Sequence, residues 1–214
     1  MRKFFKILKQ YPILPIIAII FVGIYFSLSF YKNTDKIVKI YNPDADNIRT
    51  NLGIFSLTQG DFTLTNQDKK PVTLSQLYGK PTLMYFGFTH CPDYCPTALG
   101  VFDAVDSLLG DNKINRIFVS VDPMRDTPDV LKQYASLYKD GLITLTGTAE
   151  QVDAVAKLWR IFYSINKKSP DDMEYTVDHV TYMYILNAQG KLVAMAESDT
   201  TPDKIAELIT KNNL

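Results

Sequence analysis

Thr82-Leu83-Met84-Tyr85-Phe86-Gly87-Phe88-Thr89-His90-Cys91-Pro92-Asp93-Tyr94-Cys95-Pro96 is the stretch on which the fold turns. Its first seven residues are almost continuously apolar and aromatic, the pattern of a strand buried on both faces. Beyond Pro96, the residues Ala98, Val101, Phe102, Val105 and Leu109 recur at helical spacing. Two cysteines therefore stand where a buried strand gives way to a helix. Upstream, Asp61-Phe62-Thr63-Leu64-Thr65 alternates like a strand and ends at the turn signal Asn66-Gln67-Asp68. Downstream, residues 114–121 read as another buried strand. Asp126-Thr127-Pro128 offers a cap and a first-turn proline for a helix carrying Leu131, Tyr134 and Tyr138. Residues 142–145 are short and β-like. Thr148-x-x-Gln151 is a capping box, with Val152, Val155, Trp159 and Phe162 on one helical face. Residues 181–186, the turn Asn187-Ala188-Gln189-Gly190 and residues 191–196 read as a hairpin. Thr201-Pro202 opens a last helix with Ile205, Leu208 and Ile209 inward. This order predicts one α/β domain over residues 58–214, a central mixed sheet with helices on both faces.

The N-terminal segment sets the compartment. Arg2, Lys3, Lys6 and Lys9 make residues 1–9 a basic head, and residues 10–31 hold no charge. A helix of that length spans roughly 33 Å, enough for a hydrocarbon core of about 30 Å. Pro12 and Pro15 sit near its start, where a helix tolerates them best. The expectation is one transmembrane helix, with the basic head in the cytoplasm and the remainder outside. A cleaved signal peptide is the competing reading. Only Ser27-Leu28-Ser29 approaches a small-residue cleavage pattern, and it does so poorly, which favours an uncleaved anchor. No cysteine follows the run to carry a lipid. Residues 32–57 are polar and mixed and read as a tether. Outside the cytoplasm a cysteine pair can oxidise. Lys plus Arg equals Asp plus Glu, 23 each. No basic stripe interleaved with aromatics stands out, so nucleic-acid binding has little support.

The chain has two cysteines, Cys91 and Cys95, and two histidines, His90 and His179. A helix start carries free N–H groups and partial positive charge, which favour thiolate, the form that attacks disulfides and binds metals. On a helical first turn, positions i and i+4 share a face, so both sulfurs can point to one spot. A structural disulfide at this spacing would close a loop of a few residues, with little entropic return. A zinc finger needs four ligands, and His90 stands too close to Cys91 for an unstrained tetrahedral site. His90 reads as a strand-end residue holding the loop. Two thiolates with the imidazole of His179 make a soft donor set suited to Cu(I), and imidazole also serves Cu(II). Asp178 is placed to orient that imidazole or to be a solvated carboxylate. Asp122 ends a buried strand on the edge where α/β proteins place their sites, and Arg125 could pair with Asp126 across the loop.

Three motifs then carry a resemblance. Gly87-Phe88-Thr89-His90-Cys91-Pro92-Asp93-Tyr94-Cys95-Pro96 resembles the copper-site signature of the Sco/SenC family. Ser120-Val121-Asp122-Pro123-Met124-Arg125-Asp126-Thr127-Pro128 resembles its second motif, and Tyr175-x-Val177-Asp178-His179 its third. The likeness runs from about Phe62 to the last helix. It implies a thioredoxin-like fold behind an N-terminal anchor, and Cys91, Cys95 and His179 as copper ligands. It also implies a role in loading or preparing the binuclear copper site of the second subunit of cytochrome c oxidase. The implied setting is the cell inner membrane or its equivalent, with the domain on the periplasmic or intermembrane side. Met124 stands where the family commonly has an acidic residue, and Val180 where a small hydroxyl residue is common; neither is a ligand position.

Two functions compete. A metallochaperone would bind copper and pass it to a partner. A thiol–disulfide oxidoreductase would reduce the partner's cysteines with the Cys91–Cys95 pair, a reaction with no need of His179. The Asp178-His179 unit favours copper. A peroxidase is disfavoured, because no arginine stands beside Cys91 in the motif. A stoichiometric carrier need not turn over, so the sequence leaves enzyme status open.

Overall fold

The computed structural model describes residues 21–25, 39–40, 48–50, 53–55, 60–169, 171–212 and 214. The chain divides into residues 1–37 and 38–214. In the first unit, residues 21–25 are helical. Among the described residues, no helix is long and apolar enough to cross a membrane. The rest of the expected anchor lies outside them.

In the second unit the strands are β1 (Lys39–Ile40), β2 (Ile48–Thr50), β3 (Gly53–Phe55), β4 (Thr63–Asn66), β5 (Pro71–Thr73) and β6 (Thr82–Gly87). They continue as β7 (Asn115–Ser120), β8 (Leu142–Thr146), β9 (Tyr163–Asn166), β10 (Thr176–His179), β11 (Tyr182–Leu186) and β12 (Leu192–Glu197). The helices are α1 (Tyr94–Leu109), α2 (Pro128–Ala135), α3 (Ala149–Trp159) and α4 (Pro202–Lys211). The described strands build a mixed sheet in the order β1-β12-β11-β6-β7-β8-β4-β5, with β9–β10 and β2–β3 as separate antiparallel pairs. β6, β7 and β8 are parallel and the other neighbours antiparallel.

β6 is central and buried throughout, as its unbroken apolar run requires. Its side chains alternate between two layers. Phe86, with Tyr184 from β11, meets Trp159 of α3 at ring distances of 6.4 and 6.2 Å. On the other face lie Tyr85, Gly87 and their β7 neighbour Phe118, which stacks at 5.3 Å on Tyr134 of α2. α1 packs against α4 and β6, and α2 against β8. Helices thus cover both faces, as the alternation of strands and helices predicts.

The caps agree with the sequence. The Thr127 hydroxyl accepts from the Val130 N–H ahead of Pro128, and Thr148 and Gln151 close a capping box. Four details depart from it. α2 ends at Ala135, so Tyr138 lies beyond the helix, where its hydroxyl donates to that of Tyr134 at 3.2 Å. α3 ends at Trp159 with Arg160 left-handed at φ 54°, which releases Phe162 to solvent instead of the core. The β9–β10 hairpin was not foreseen, because alternating exposed residues such as Ser164, Asn166, Thr176 and Asp178 leave only a weak apolar signal. β1, β2 and β3 fall inside the segment expected as a tether.

Candidate metal centre

Sheet register assembles the site. β6 and β7 run in parallel to the pair Gly87↔Ser120, so the loops that follow both strands leave the same sheet edge. β11 runs antiparallel to β6 with Met183 opposite Tyr85, which brings its N-terminal end to that edge. β10 finishes at His179, just before β11 begins. The histidine therefore reaches the end of β6, where the cysteines are.

One donor atom each from Cys91, Cys95 and His179 lies within 4.8 Å of the other two. Cys95 Sγ is 3.7 Å from His179 Nε2. Cys95 is fully buried, Cys91 is 8% exposed and His179 is half-buried, so of the two sulfurs that of Cys91 is the more open. Cys95 lies in the first turn of α1, whereas Cys91 precedes the helix, in a loop where its N–H donates to the Phe88 carbonyl at 3.2 Å. The sulfurs thus meet through a turn before the helix, and not along one face of a helical turn. His179 Nδ1–H donates to the Val180 carbonyl at 2.8 Å, which leaves Nε2 bare toward the sulfurs. Tyr85 and Phe88 hold the imidazole edge-on at ring distances of 5.9 and 5.7 Å.

The two thiols titrate as a pair. Hydrogen bonding from Cys95 holds the Cys91 thiol far below its ordinary value, against the opposing effect of burial. The Cys95 thiol is pushed far up, by its bond to Cys91 and then by burial. One proton therefore leaves readily and the second is held until something replaces it. Burial likewise pushes the Tyr85 phenol far up, and both cysteine sulfurs add to that effect.

A polar network under the loops fixes their positions. Asp126, fully buried, accepts from the Thr89 N–H at 3.0 Å, the Thr89 hydroxyl at 2.6 Å and the Ser120 hydroxyl at 2.6 Å. Burial raises its carboxyl above the usual range, with those three bonds pulling the other way. It pins the chain two residues before Cys91. Asp122, also fully buried, accepts from Arg125 Nε at 2.6 Å and from the Tyr175 hydroxyl. The Arg125 guanidinium lies 3.6 Å from the Tyr175 ring centre and donates to the Tyr175 carbonyl at 2.9 Å. The β7 loop is thereby clamped to the segment that enters β10 and carries His179.

Several expectations need correction here. Arg125 pairs with Asp122 and not with Asp126, because Asp126 is taken up by Thr89 and Ser120. Asp178 does not orient the imidazole. It is exposed and accepts from Asn166 Nδ2 at 2.7 Å, since alternation along β10 sends it to the face opposite His179. His90 stays out of the cluster, as its sequence position suggests. With the Thr89 proton committed to Asp126, His90 Nδ1–H donates to Thr89 Oγ1 at 3.1 Å.

Sequence reading missed two contributors. Tyr85 reads as a plain strand residue, and Gly87 opens the first motif without a role of its own. A Cβ at Gly87 would stand 2.5 Å from Cys95 Sγ and 3.0 Å from Phe118 Cε2. Only a glycine there lets the sulfur sit on the strand end. Its place two residues after Tyr85, at the end of a buried strand, was the available signal.

Comparison with known proteins agrees with this architecture. The family model described as SCO1/SenC matches residues 54–212. The SCO2-like protein of Rickettsia felis is 36% identical over 155 residues, covering 72% of this chain and 76% of that protein. The solved structure of Bradyrhizobium japonicum ScoI with copper bound superposes with a TM-score of 0.65 at 37% identity, covering 72% of this chain and 98% of that one. BsSco, described as having a disulfide switch and as a member of the Sco family of cytochrome c oxidase assembly proteins, superposes with a TM-score of 0.57 at 27% identity, covering 72% of this chain and 92% of that one. The thioredoxin-like fold that the resemblance implied is the fold of these neighbours. On the family match over residues 54–212, the three motifs in order and the converged cysteine–histidine cluster, the chain belongs to the SCO1/SenC family.

Proposed function

We propose that the protein binds copper through Cys91, Cys95 and His179 and delivers it to, or prepares, the binuclear copper site of cytochrome c oxidase. The observation that carries this reading is the convergence of two sulfurs and one bare imidazole nitrogen at a buried spot. The donor set is soft, as Cu(I) prefers, and its imidazole also serves Cu(II). Cys95 Sγ and His179 Nε2 stand 3.7 Å apart. The ready loss of the Cys91 proton supplies one thiolate, and an arriving cation would displace the proton held on Cys95. The copper-bound ScoI relative supports the metal, and the Sco oxidase-assembly relative supports the partner.

The chain organisation belongs to the same proposal. Residues 1–9 are a cytoplasmic head, 10–31 a single-pass anchor in the inner membrane or its equivalent, and 32–57 a tether. Residues 58–214 then lie on the periplasmic or intermembrane side. A reporter fused after Leu214 is expected to be active only outside the cytoplasm. Activity inside would overturn both the topology and the redox setting.

A second reading has its own support. Cys91 is held as a thiolate and is the more open sulfur, as an attacking thiol must be, and a Sco relative is described as having a disulfide switch. Substituting His179 separates the two. His179→Ala removes the imidazole donor but leaves the Cys91–Cys95 pair and its turn. It is expected to weaken copper binding markedly while the pair still exchanges with a small dithiol. If the protein carries copper, a His179→Ala strain loses oxidase activity about as badly as a Cys91→Ser strain, at matched protein levels. Near wild-type oxidase activity with copper binding gone would leave the reductase reading standing.

A further inference from the structure

His179 is carried on a hairpin that stands apart from the main sheet. β9 and β10 pair with each other, Thr176 opposite Asn166 and His179 opposite Tyr163, and neither joins the sheet that contains β6. The cysteines follow β6, Cys91 in the loop and Cys95 in α1. Histidine and sulfurs therefore rest on separately paired pieces of the fold. A two-stranded pair is marginal by itself, so contacts to the body of the domain must hold it. Arg125, in the loop after β7, supplies such contacts. Its Nη1 donates to the Met173 carbonyl at 3.2 Å and the Tyr175 carbonyl at 2.9 Å, at the entrance to β10, while its Nε donates to the buried Asp122 carboxylate at 2.6 Å. The guanidinium lies 3.6 Å from the Tyr175 ring centre and 5.8 Å from that of Phe88, the ring that stands 5.7 Å from the His179 imidazole. Nη2 is buried and makes no hydrogen bond. A lysine paired with Asp122 would carry no such spare donor, but it has neither the fork that reaches acid and carbonyls together nor the flat face that stacks on a ring.

We propose that Arg125 is a positioning residue that latches the β9–β10 hairpin to the β7 loop and thereby sets where His179 stands. The cysteine loop has its own anchor, Asp126 acting through Thr89. Loss of Arg125 therefore frees the imidazole while the sulfurs stay in place. The consequence for metal binding rests on the copper reading above; the latch itself can be read without metal.

The test uses the full-length chain in detergent. Arg125→Met alone would leave Asp122 a buried charge without its cation. The substitution is therefore made in an Asp122→Asn background, where the amide oxygen can still accept from the Tyr175 hydroxyl. The first measurement is amide hydrogen exchange of the metal-free protein. Adding Arg125→Met is expected to speed exchange in residues 163–179 about tenfold or more, and in β6 and α1 by less than about threefold. The second is a competition titration for Cu(I). Adding Arg125→Met should weaken binding about 10- to 100-fold. In chains that also carry His179→Ala it should change binding by less than about threefold, because no imidazole is left to place. Hairpin exchange that is unchanged, or raised equally in β6 and α1, overturns the proposal. So does an equal loss of Cu(I) affinity with and without His179. Full copper retention by His179→Ala would instead sink the copper reading, and hydrogen exchange would still decide whether Arg125 holds the hairpin.

Discussion

Oxidation of Cys91 and Cys95 to a disulfide is expected to abolish tight Cu(I) binding, from about one ion per chain to none, because it removes both soft donors together and leaves one imidazole. The donors already stand close enough to join or to share an ion, so the same geometry serves both states. Cys91→Ser and Cys95→Ser should each abolish high-affinity binding, since a serine hydroxyl keeps its proton near neutral pH. The two substitutions should differ in the metal-free protein. Without Cys95, the Cys91 thiol loses the hydrogen bond that chiefly holds it low, so its titration should move up toward the ordinary value. Without Cys91, Cys95 loses the partner that chiefly holds its proton, so its titration should move down, although burial still opposes the thiolate. Copper retention of reduced and oxidised chains, measured after equal washing with a Cu(I) chelator, decides the main point. Equal retention in both states would sink the site.

The Gly87→Ala substitution should do nearly as much harm without touching a ligand. One added methyl would stand 2.5 Å from Cys95 Sγ, with the Phe118 and Tyr85 rings at 3.0 and 3.1 Å. None of these is the free end of a flexible surface chain. All are buried, on β6, on its neighbour β7 or in the first turn of α1. Overpacking of this kind costs about 1–3 kcal/mol. Displacing one ligand from its place is expected to weaken copper binding about 10- to 100-fold, the range seen when the shell that orients ligands is altered. Gly100→Ala is the control. It lies in α1 with nothing within 4 Å of the added carbon, and it should be neutral or gain up to about 1 kcal/mol of stability from helix propensity. Denaturant unfolding and a competition titration for Cu(I) read both variants. If Gly87→Ala matched wild type in affinity, the close seating of Cys95 on the strand end would be irrelevant to the site.

Much of the fold lies open in short-range patterns. The continuous apolar run of β6, the capping box at Thr148 and Gln151 and the proline after Thr127 are each set by neighbours a few residues away. The β9–β10 hairpin is not legible because each strand has four residues of which two are exposed, too short an alternation to stand out. Phe162 was placed on the helix face because 3.6-residue periodicity runs on past the left-handed Arg160 that actually ends the helix. Arg125 and Asp126 are sequence neighbours of opposite charge, yet Asp126 was claimed by Thr89, a residue 37 positions away. Asp122, one helical turn before Arg125, was the partner left to it.

By itself the sequence determined the strand–helix junction, the placement of both cysteines at it and the short inventory of candidate donors, two cysteines and two histidines. These depend on local periodicity and on side-chain chemistry that no fold can alter. Tertiary structure alone decided that His179, 84 residues from Cys95, arrives at that junction. It also decided that Nε2 is the nitrogen facing the sulfurs, that Gly87 is the floor under Cys95 and that Tyr85 is buried beside them. The physical reason is register. A one-residue slip of β11 against β6 would send every side chain of the strand to the opposite face and shift His179 away from the cysteines. The side chains that this pairing brings together are far apart in the chain, and no local pattern encodes their meeting.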